Sequence, residues 1–220
     1  AKWTGAPLGP IDAPDVPIML GAVGPKMLAL AGEVADGLHA HPTNTSGRYL
    51  REVVLPRLGA GAARRDASVP APLVCACTLV ATGPDAATVA RERERLAGML
   101  GFLFSTPAYW PSLQMFGGPA LGEQLLQLTR QGQWQQMRNL LTDPVLDEFL
   151  VCATYDELPD ALASRYAGLA GRITLTAPEH SADDAAHARA IHAIRRRVAA
   201  AAQGGAHAPS AASGSACASR

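Results

Sequence analysis

The residues Gly21 to Lys26, read GAVGPK, have the types and spacing of a loop that binds a phosphate group. Gly24 lets the backbone approach a ligand closely or take a positive φ, and Pro25 suits the first turn of a helix. Free amides at the start of a helix, together with the helix dipole, favour an anion. Such a turn also occurs as a purely structural connection, and Lys26 also fits a surface cation at a helix start, so both interpretations stay open.

The elements that must position this loop are apolar runs on either side of it. Residues 17–22 predict a strand, and Met27, Leu28, Leu30, Ala31 and Val34 recur at the spacing of a helix. Asp36-Gly37 then turns the chain into a second apolar run at 37–41. The stretch therefore predicts a strand, a helix and a second strand, with the loop after the first strand.

Two further side chains are candidates for contact with a substrate. His41 ends the second predicted strand, where a neutral imidazole can contact a substrate or donate to an anion. The plainer alternative is a solvated histidine at a strand end, and His39 shares its face nearer the interior. Tyr109 lies in the aromatic-rich segment Ser105–Gly118, which we interpret as an irregular loop. Loops on a rigid scaffold commonly carry binding groups, although these aromatic residues could equally anchor the loop.

The four cysteines, Cys75, Cys77, Cys152 and Cys217, are too few and too irregularly placed for a disulfide framework. Cys75 and Cys77 share one face of a predicted strand, and no His–Cys partner lies at zinc-ligand spacing along the chain. We interpret the cysteines as small core residues in a reducing cytoplasm and predict no metal site. The sequence also has no Ser-His-Asp order and no Walker or dinucleotide glycine fingerprint.

Charge and hydropathy exclude two classes of partner. The 19 basic and 19 acidic side chains balance over 220 residues, which gives no electrostatic case for nucleic acid. No run of about 18 apolar residues exists, so we predict no membrane span. The first residues lack an initiating Met and the order of a signal peptide, and we therefore expect an internal or C-terminal piece.

The number of predicted strands limits the fold. Alternation of strands and helices predicts an α/β fold with a parallel sheet. Its four strands are expected at 17–22, 37–41, 72–81 and 172–176. A closed barrel needs eight strand–helix units and about 250 residues. The expected organisation is an extended lead-in at 1–16, an α/β unit at 17–178, a polar Ala-rich helix at 179–202 and a disordered tail at 203–220.

Residues 17–37 also carry a family resemblance, in the pattern P-I-x-L-G-A-x-G-P-K-M-x-x-L-A-G-E-x-A-D-G. This pattern resembles the luciferase-like flavin and deazaflavin oxidoreductases, especially the branch that uses coenzyme F420. Sequence patterns similar to those of the family also occur at Ser105–Tyr109 and Asp143–Thr154, and the resemblance extends to about Pro178. It implies a (β/α)8 TIM barrel of which this chain is the C-terminal half, about strands 5–8, with strands 1–4 upstream.

The resemblance also implies roles for individual residues. Family members hold the phosphate-bearing side chain of the coenzyme with this loop, which places Val23, Gly24 and Lys26 on the cofactor and Gly21 and Ala22 on the floor. The polar position that contacts substrate falls at His41. The acid and base residues of the family come from the first strands, so no catalytic residue is predicted here.

The function expected from this resemblance is that of an F420-dependent oxidoreductase. It would transfer a hydride between the deazaflavin and an organic substrate, and we expect this half alone to be inactive. An FMN-dependent monooxygenase of the same family and a non-catalytic, truncated ligand-binding fragment are the alternatives. The expected partners are a small-molecule substrate and, for the full-length protein, a second copy in a homodimer.

Overall fold

A computed structural model of the chain describes residues 16–116 and 118–205, which form two small parallel sheets surrounded by helices. The predicted lead-in at 1–16 falls almost wholly outside the described residues, as does most of the predicted tail. The strands are β1 Met19–Ala22, β2 Gly37–Ala40, β3 Leu73–Ala76, β4 Leu79–Gly83, β5 Leu150–Thr154 and β6 Arg172–Ile173. The helices are α1 Pro25–Val34, α2 Gly47–Tyr49, α3 Leu55–Ala62, α4 Ala86–Phe104, α5 Trp110–Leu113, α6 Pro119–Arg130, α7 Trp134–Leu140, α8 Asp143–Phe149, α9 Leu158–Tyr166 and α10 Asp184–Gly205.

The first sheet is parallel, in the order β1-β2-β3-β6, and corresponds to four consecutive strands of a barrel. Alternate residues point to opposite faces of a strand, and one face of this sheet packs on helices. Its buried side chains form the first hydrophobic core with residues of α1, α9 and the helical stretch after β2: Leu38, Ala40, Val74, Ala76, Leu28, Leu50 and Leu162. The expected half-barrel of parallel strands and helices is confirmed.

Two glycines let α1 and α3 pack with their backbones in contact. A Cβ on Gly61 would lie 1.8 Å from the carbonyl oxygen of Ala29, and one on Gly32 would lie 2.0 Å from that of Leu58. Both distances are too short for any side chain, so only glycine allows this approach. Helix α1 packs on β1 and β2, and its close contact with α3 fixes the direction in which α1 leaves the loop before it.

The run at 72–81, which we predicted as one strand, forms parts of two strands in two different sheets. The chain leaves the first sheet after Ala76, passes Cys77 and Thr78, and enters β4, which pairs in parallel with β5. Strand β5 had not been predicted. This second sheet packs on α4 and α6–α8 around a second core that includes Leu100, Phe104, Leu125, Met137 and Phe149. The last predicted strand, at 172–176, is paired only at Arg172–Ile173.

Three other stretches differ from their predictions. The small residues of Gly59–Pro72 predict a loop, but Gly59 to Ala62 continue α3 because they face α1. The segment Ser105–Gly118 holds a 3-10 turn at Pro107–Tyr109 and the short α5, so it is not irregular throughout. The Ala-rich helix begins at Asp184, after a 3-10 turn, and its backbone continues to Gly205, beyond the predicted end at residue 202.

The β1 side of the first sheet is an edge with exposed apolar side chains. Within the described residues, β1 pairs only with β2. Apolar side chains on and beside β1 and α1 remain exposed: Val16, Ile18, Met27, Leu30 and Val34. This is the side on which the preceding strand of a closed barrel lies. Among the described helices, none combines the length and apolar character needed to cross a membrane.

Candidate functional site

The candidate site lies at the carboxyl edge of the first sheet, where the chain leaves each parallel strand. Strands in register place the residues after β1, β2 and β3 side by side, because Ala22 pairs with Ala40 and Ala40 with Ala76. The loop Gly21–Lys26, the turn after His41 and the link Cys77-Thr78 therefore meet at one edge. This is the edge at which barrel enzymes carry their ligands.

The loop from β1 to α1 leaves the start of the helix open. Gly24 is the N-cap of α1 with φ −80° and ψ 157°, so it does not use the positive φ that glycine allows. No side chain of the described residues caps the helix, and a Cβ built on Gly21 or on Gly24 would meet nothing within 4 Å. Backbone amides and the exposed Lys26 thus border free space, which fits a phosphate group.

A buried asparagine holds this loop in place. Asn44 is 1% exposed and donates its side-chain N–H to the carbonyl oxygen of Val23 at 3.1 Å. The neighbouring residues Thr43, Thr45 and Ser46 are also fully buried, and the hydroxyl of Ser46 accepts the Tyr49 N–H at 3.0 Å. This hydrogen bond occupies the carbonyl oxygen of Val23 and therefore fixes the orientation of the peptide that links Val23 to Gly24.

The structure brings His41 and Tyr109 together, although they lie far apart in sequence. Their rings stack with centroids 4.3 Å apart. The Nδ1 atom of His41 lies 2.9 Å from Thr43 Oγ1 and accepts the Thr43 N–H at 3.4 Å, which assigns the ring proton to Nε2. Burial lowers the pKa of His41, so the neutral imidazole is favoured.

A tyrosine on α9 joins two of the loops at this edge. Tyr166 is 2% exposed, and its hydroxyl donates to the carbonyl of Thr45 at 3.0 Å. A hydroxyl has one proton, so Thr78, at 2.6 Å, donates to the Tyr166 oxygen. The pair ties the turn after β2 to the link after β3.

Three potential metal ligands lie on the face of the first sheet that turns away from the first core. His39 pairs in register with Cys75, and Cys77 follows two residues later on the same side. The imidazole Nδ1 of His39 lies 2.9 Å from the Cys77 sulfur, 38 residues away in sequence. The prediction of no metal site rested on spacing along the chain, which does not report the parallel pairing of β2 and β3 that brings these three side chains together. Among the cysteines described, Cys75 is buried, but Cys77 is half-buried and Cys152 is exposed, so the interpretation of all of them as core residues was wrong.

A second polar cleft opens beside β4 and α4. Its volume is about 670 Å3, and Arg91, Arg95 and His187 line it. The Nε2 atom of His187 is buried and has no hydrogen-bond partner among the described residues. The arginines of this cleft provide a comparison for Lys26 at the predicted phosphate-binding loop before α1.

The structure thus groups the predicted site residues at one edge, and it adds two residues that sequence reasoning had not assigned to the site. Gly21, Ala22, Val23, Gly24 and Lys26 form the loop before α1, and His41 and Tyr109 form the stacked pair. Their roles as cofactor and substrate ligands stay predictions. Asn44 and Tyr166 support the edge from behind. The polar run Thr43–Ser46, which by itself predicts a capping turn, was the available signal for Asn44.

Comparison with known proteins gives consistent matches. Residues 3–172 match the family described as luciferase-like monooxygenase. A Mycobacterium tuberculosis protein, named only as uncharacterized, is 36% identical over 156 residues, which make up 71% of this chain and 46% of that protein. The 5,10-methylenetetrahydromethanopterin reductase of Methanolobus tindarius is 30% identical over 165 residues and is likewise covered to 46%. The chain therefore spans less than half the length of these relatives.

A solved structure shares the fold. The coenzyme F420-dependent tetrahydromethanopterin reductase of Methanopyrus kandleri superposes with a TM-score of 0.57 at 18% identity. The superposition covers 78% of this chain and 48% of that one. At this identity the likeness concerns the fold, and it agrees with half of a barrel.

Proposed function

Because the chain belongs to the luciferase-like monooxygenase family, we propose that it is the coenzyme-binding half of an F420-dependent oxidoreductase. The observation that carries this proposal is the uncapped start of α1 at the carboxyl edge of the sheet, with open space beside Gly21 and Gly24. A relative that is 28% identical over 169 residues and is named as a putative coenzyme F420-dependent oxidoreductase supports this coenzyme class, as does the F420-dependent reductase that shares the fold.

The proposed contacts follow from the geometry of the loop. Amides at the start of α1 would receive the phosphate of the coenzyme, with the Lys26 ammonium beside them. Gly21 and Ala22 would lie beneath the ligand, since a side chain at Gly21 would project into the same open space. Asn44 holds the Val23 carbonyl away from the anion, which removes a source of repulsion.

The substrate side of the proposal rests on the stacked pair. His41 is neutral and carries its proton on Nε2, so it can donate one hydrogen bond without adding a charge. Tyr109 covers one face of that imidazole and restricts its movement. The bound coenzyme would supply hydride transfer to or from an organic substrate, while these residues would orient the substrate and limit the access of water.

An FMN-dependent monooxygenase is the second candidate, because the matching family is described as luciferase-like monooxygenase and the resemblance of residues 17–37 includes flavin enzymes. A loop that binds phosphate serves either coenzyme. We therefore propose a direct comparison of F420, FMN and a deazaflavin ring that lacks the phosphate-bearing side chain, each titrated against the 220-residue chain and followed by ring fluorescence.

The expected result is that F420 binds at least about tenfold more tightly than the ring without its phosphate arm, the gain expected from charge-assisted hydrogen bonds. Lys26→Ala should weaken F420 binding about two- to fivefold, as for an exposed ion pair. Arg91→Ala is the matched control, an exposed cation in the second cleft. Equal affinity for both deazaflavins would contradict a phosphate-binding site at this loop. If Arg91→Ala weakens F420 binding and Lys26→Ala does not, the phosphate binds in the cleft instead.

Turnover requires the other half of the barrel, so activity is tested separately. We propose joining residues 16–205 to an N-terminal half of the kind that the longer relatives carry and following the absorbance of each coenzyme with candidate organic substrates. Reduction of F420 without reduction of FMN would support the first candidate, and the reverse would support the second. Light scattering of the same protein tests the proposed homodimer. If the chain binds coenzyme but the joined protein reduces neither, the non-catalytic ligand-binding alternative is supported.

A further inference from the structure

The cluster of His39, Cys75 and Cys77 is held by backbone hydrogen bonds on a rigid part of the sheet. His39 and Cys75 are register partners in β2 and β3. Cys77 lies just beyond β3, and its N–H donates to the carbonyl of Ala40 at 3.2 Å. Strand ladders hold side chains more accurately than loops do, so the three side chains start from fixed positions.

The three ligand atoms are already close to the separations that a metal ion imposes. The two sulfurs and one imidazole nitrogen all lie within 4.8 Å of one another. Nδ1 and Nε2 of His39 are 2.9 Å and 3.6 Å from the Cys77 sulfur. Tetrahedral zinc, with Zn–S of about 2.3 Å and Zn–N of about 2.0 Å, needs S···S of about 3.8 Å and S···N of about 3.5 Å. Small rotations of the side chains are therefore enough to form such a site.

The chemistry of the donor set favours a thiophilic ion. Two thiolates and an imidazole suit Zn²⁺ and are poor ligands for Mg²⁺ or Ca²⁺, which prefer oxygen. The Thr174 hydroxyl lies 3.7 Å from the Cys75 sulfur and 3.8 Å from that of Cys77, and the Thr174 N–H is bonded to Ala76. A hydroxyl beside both sulfurs can donate to a thiolate and orient it, as outer-shell groups do in zinc sites.

We propose that His39, Cys75 and Cys77 bind one Zn²⁺ ion and leave its fourth position to a water molecule. Binding exchanges the two thiol protons for the metal, so two protons pass to the buffer and no electron is transferred. Thr174 acts as a positioning residue through its bonds to the sulfurs. The site needs no coenzyme, and it is independent of the function proposed above.

The test uses the reduced 220-residue chain with Co²⁺ and Zn²⁺ as probes. We expect one Co²⁺ per chain, with the sulfur-to-cobalt charge-transfer band and the intense visible bands of a four-coordinate site, and displacement of both by Zn²⁺. Cys77→Ser should abolish the bands and weaken Zn²⁺ binding by more than about 100-fold, beyond the 10- to 100-fold that loss of an outer-shell partner costs. Thr174→Val should weaken it by about tenfold.

Cys152→Ser is the matched control, because Cys152 is an exposed thiol on β5 outside the cluster. It should leave the stoichiometry and the spectrum unchanged. Alkylation followed by mass spectrometry gives a second readout, in which Zn²⁺ protects Cys75 and Cys77 but not Cys152. Circular dichroism of each variant confirms that the fold is kept. Persistence of the bands in Cys77→Ser, their loss in Cys152→Ser, or the absence of bands and of thiol protection in the folded parent chain would overturn the proposal.

Discussion

The imidazole of His41 lies almost parallel to the phenol ring of Tyr109, with an angle of 15° between the two planes. The contact joins the turn after β2 to the 3-10 turn Pro107–Tyr109, which follows α4. Since α4 belongs to the second hydrophobic core, this stack connects the carboxyl edge of the first sheet to the part of the chain that surrounds the second core.

The first prediction concerns the pKa of His41. Burial holds this pKa below the ordinary value of 6.5, so the unfolded chain binds more protons than the folded one near that pH. Stability should therefore fall as the pH drops through 6.5 towards the lower pKa of the folded state. Tyr109→Ala should raise the pKa of His41 and remove about 0.5 to 1.5 kcal/mol from the free energy of unfolding. Tyr109→Phe, the control, should change neither, as measured by NMR titration of the imidazole and by urea unfolding.

The second prediction separates coenzyme binding from stability at one position. Gly24 has an ordinary extended backbone and is the N-cap of α1, so aspartate fits there and caps the helix better by a few tenths of a kcal/mol. Its carboxylate would lie in the proposed phosphate-binding site. The carboxylate and the coenzyme phosphate, about 4 Å apart, would repel each other by about 1 to 4 kcal/mol. Gly24→Asp should therefore keep or raise the melting temperature and weaken F420 binding by about tenfold or more. Gly24→Asn is the uncharged control; an equal loss of binding in both variants would argue against a phosphate at this loop.

The third prediction compares two glycines of α3 that differ in their surroundings. A Cβ on Gly61 would collide with the backbone of Ala29, whereas a Cβ on Gly59 would meet nothing within 4 Å. Gly61→Ala should lower the free energy of unfolding by about 3 kcal/mol or more, at the upper end of overpacking costs. Gly59→Ala should raise it by about 0.5 to 1 kcal/mol, because alanine favours the helix. Chemical denaturation measures both, and similar values for the two variants would mean that α1 and α3 do not pack as described.

The fourth prediction concerns the hydroxyl of Tyr166. It bonds both the Thr45 carbonyl and the Thr78 hydroxyl in a buried site, so Tyr166→Phe should cost about 1 to 3 kcal/mol of unfolding free energy. Thr78→Val removes the hydrogen bond between the Thr78 and Tyr166 hydroxyls by deleting the Thr78 hydroxyl. The double variant should therefore lose less unfolding free energy than the sum of the two single variants. Tyr155→Phe is the control, since no hydrogen bond from the Tyr155 hydroxyl occurs within the described residues. Strict additivity of the first pair would contradict the bond between them.

Local periodicity was enough to predict β1, α1 and β2. In each of these the apolar spacing and the flanking turn residues lie within one stretch, and neighbouring strands in sequence are neighbours in the sheet. The resemblance then gave the loop before α1 its expected ligand. These parts could be predicted because their signals do not depend on distant residues.

Strand β5 was missed for the opposite reason. It begins at Leu150 directly after α8 ends at Phe149, without a glycine or proline between them, and its only described partner is β4, far away in sequence. The split of the run at 72–81 has the same origin, because pairing with β5 draws β4 out of the first sheet. The contacts of Asn44 with Val23 and of His39 with Cys77 likewise depend on strand pairing, which spacing along the chain does not report.

The apolar run at 72–81 contributes β3 to the first sheet and β4 to the second, so a short stretch of backbone connects the two hydrophobic cores. Only Cys77 and Thr78 separate β3 from β4, and two residues are too short a tether for one sheet to separate while the other stays intact. The amide protons of Val74 and Ala81 should therefore exchange with deuterium at similar rates, through one shared opening. The carboxyl edge and the second sheet then belong to a single cooperative folding unit.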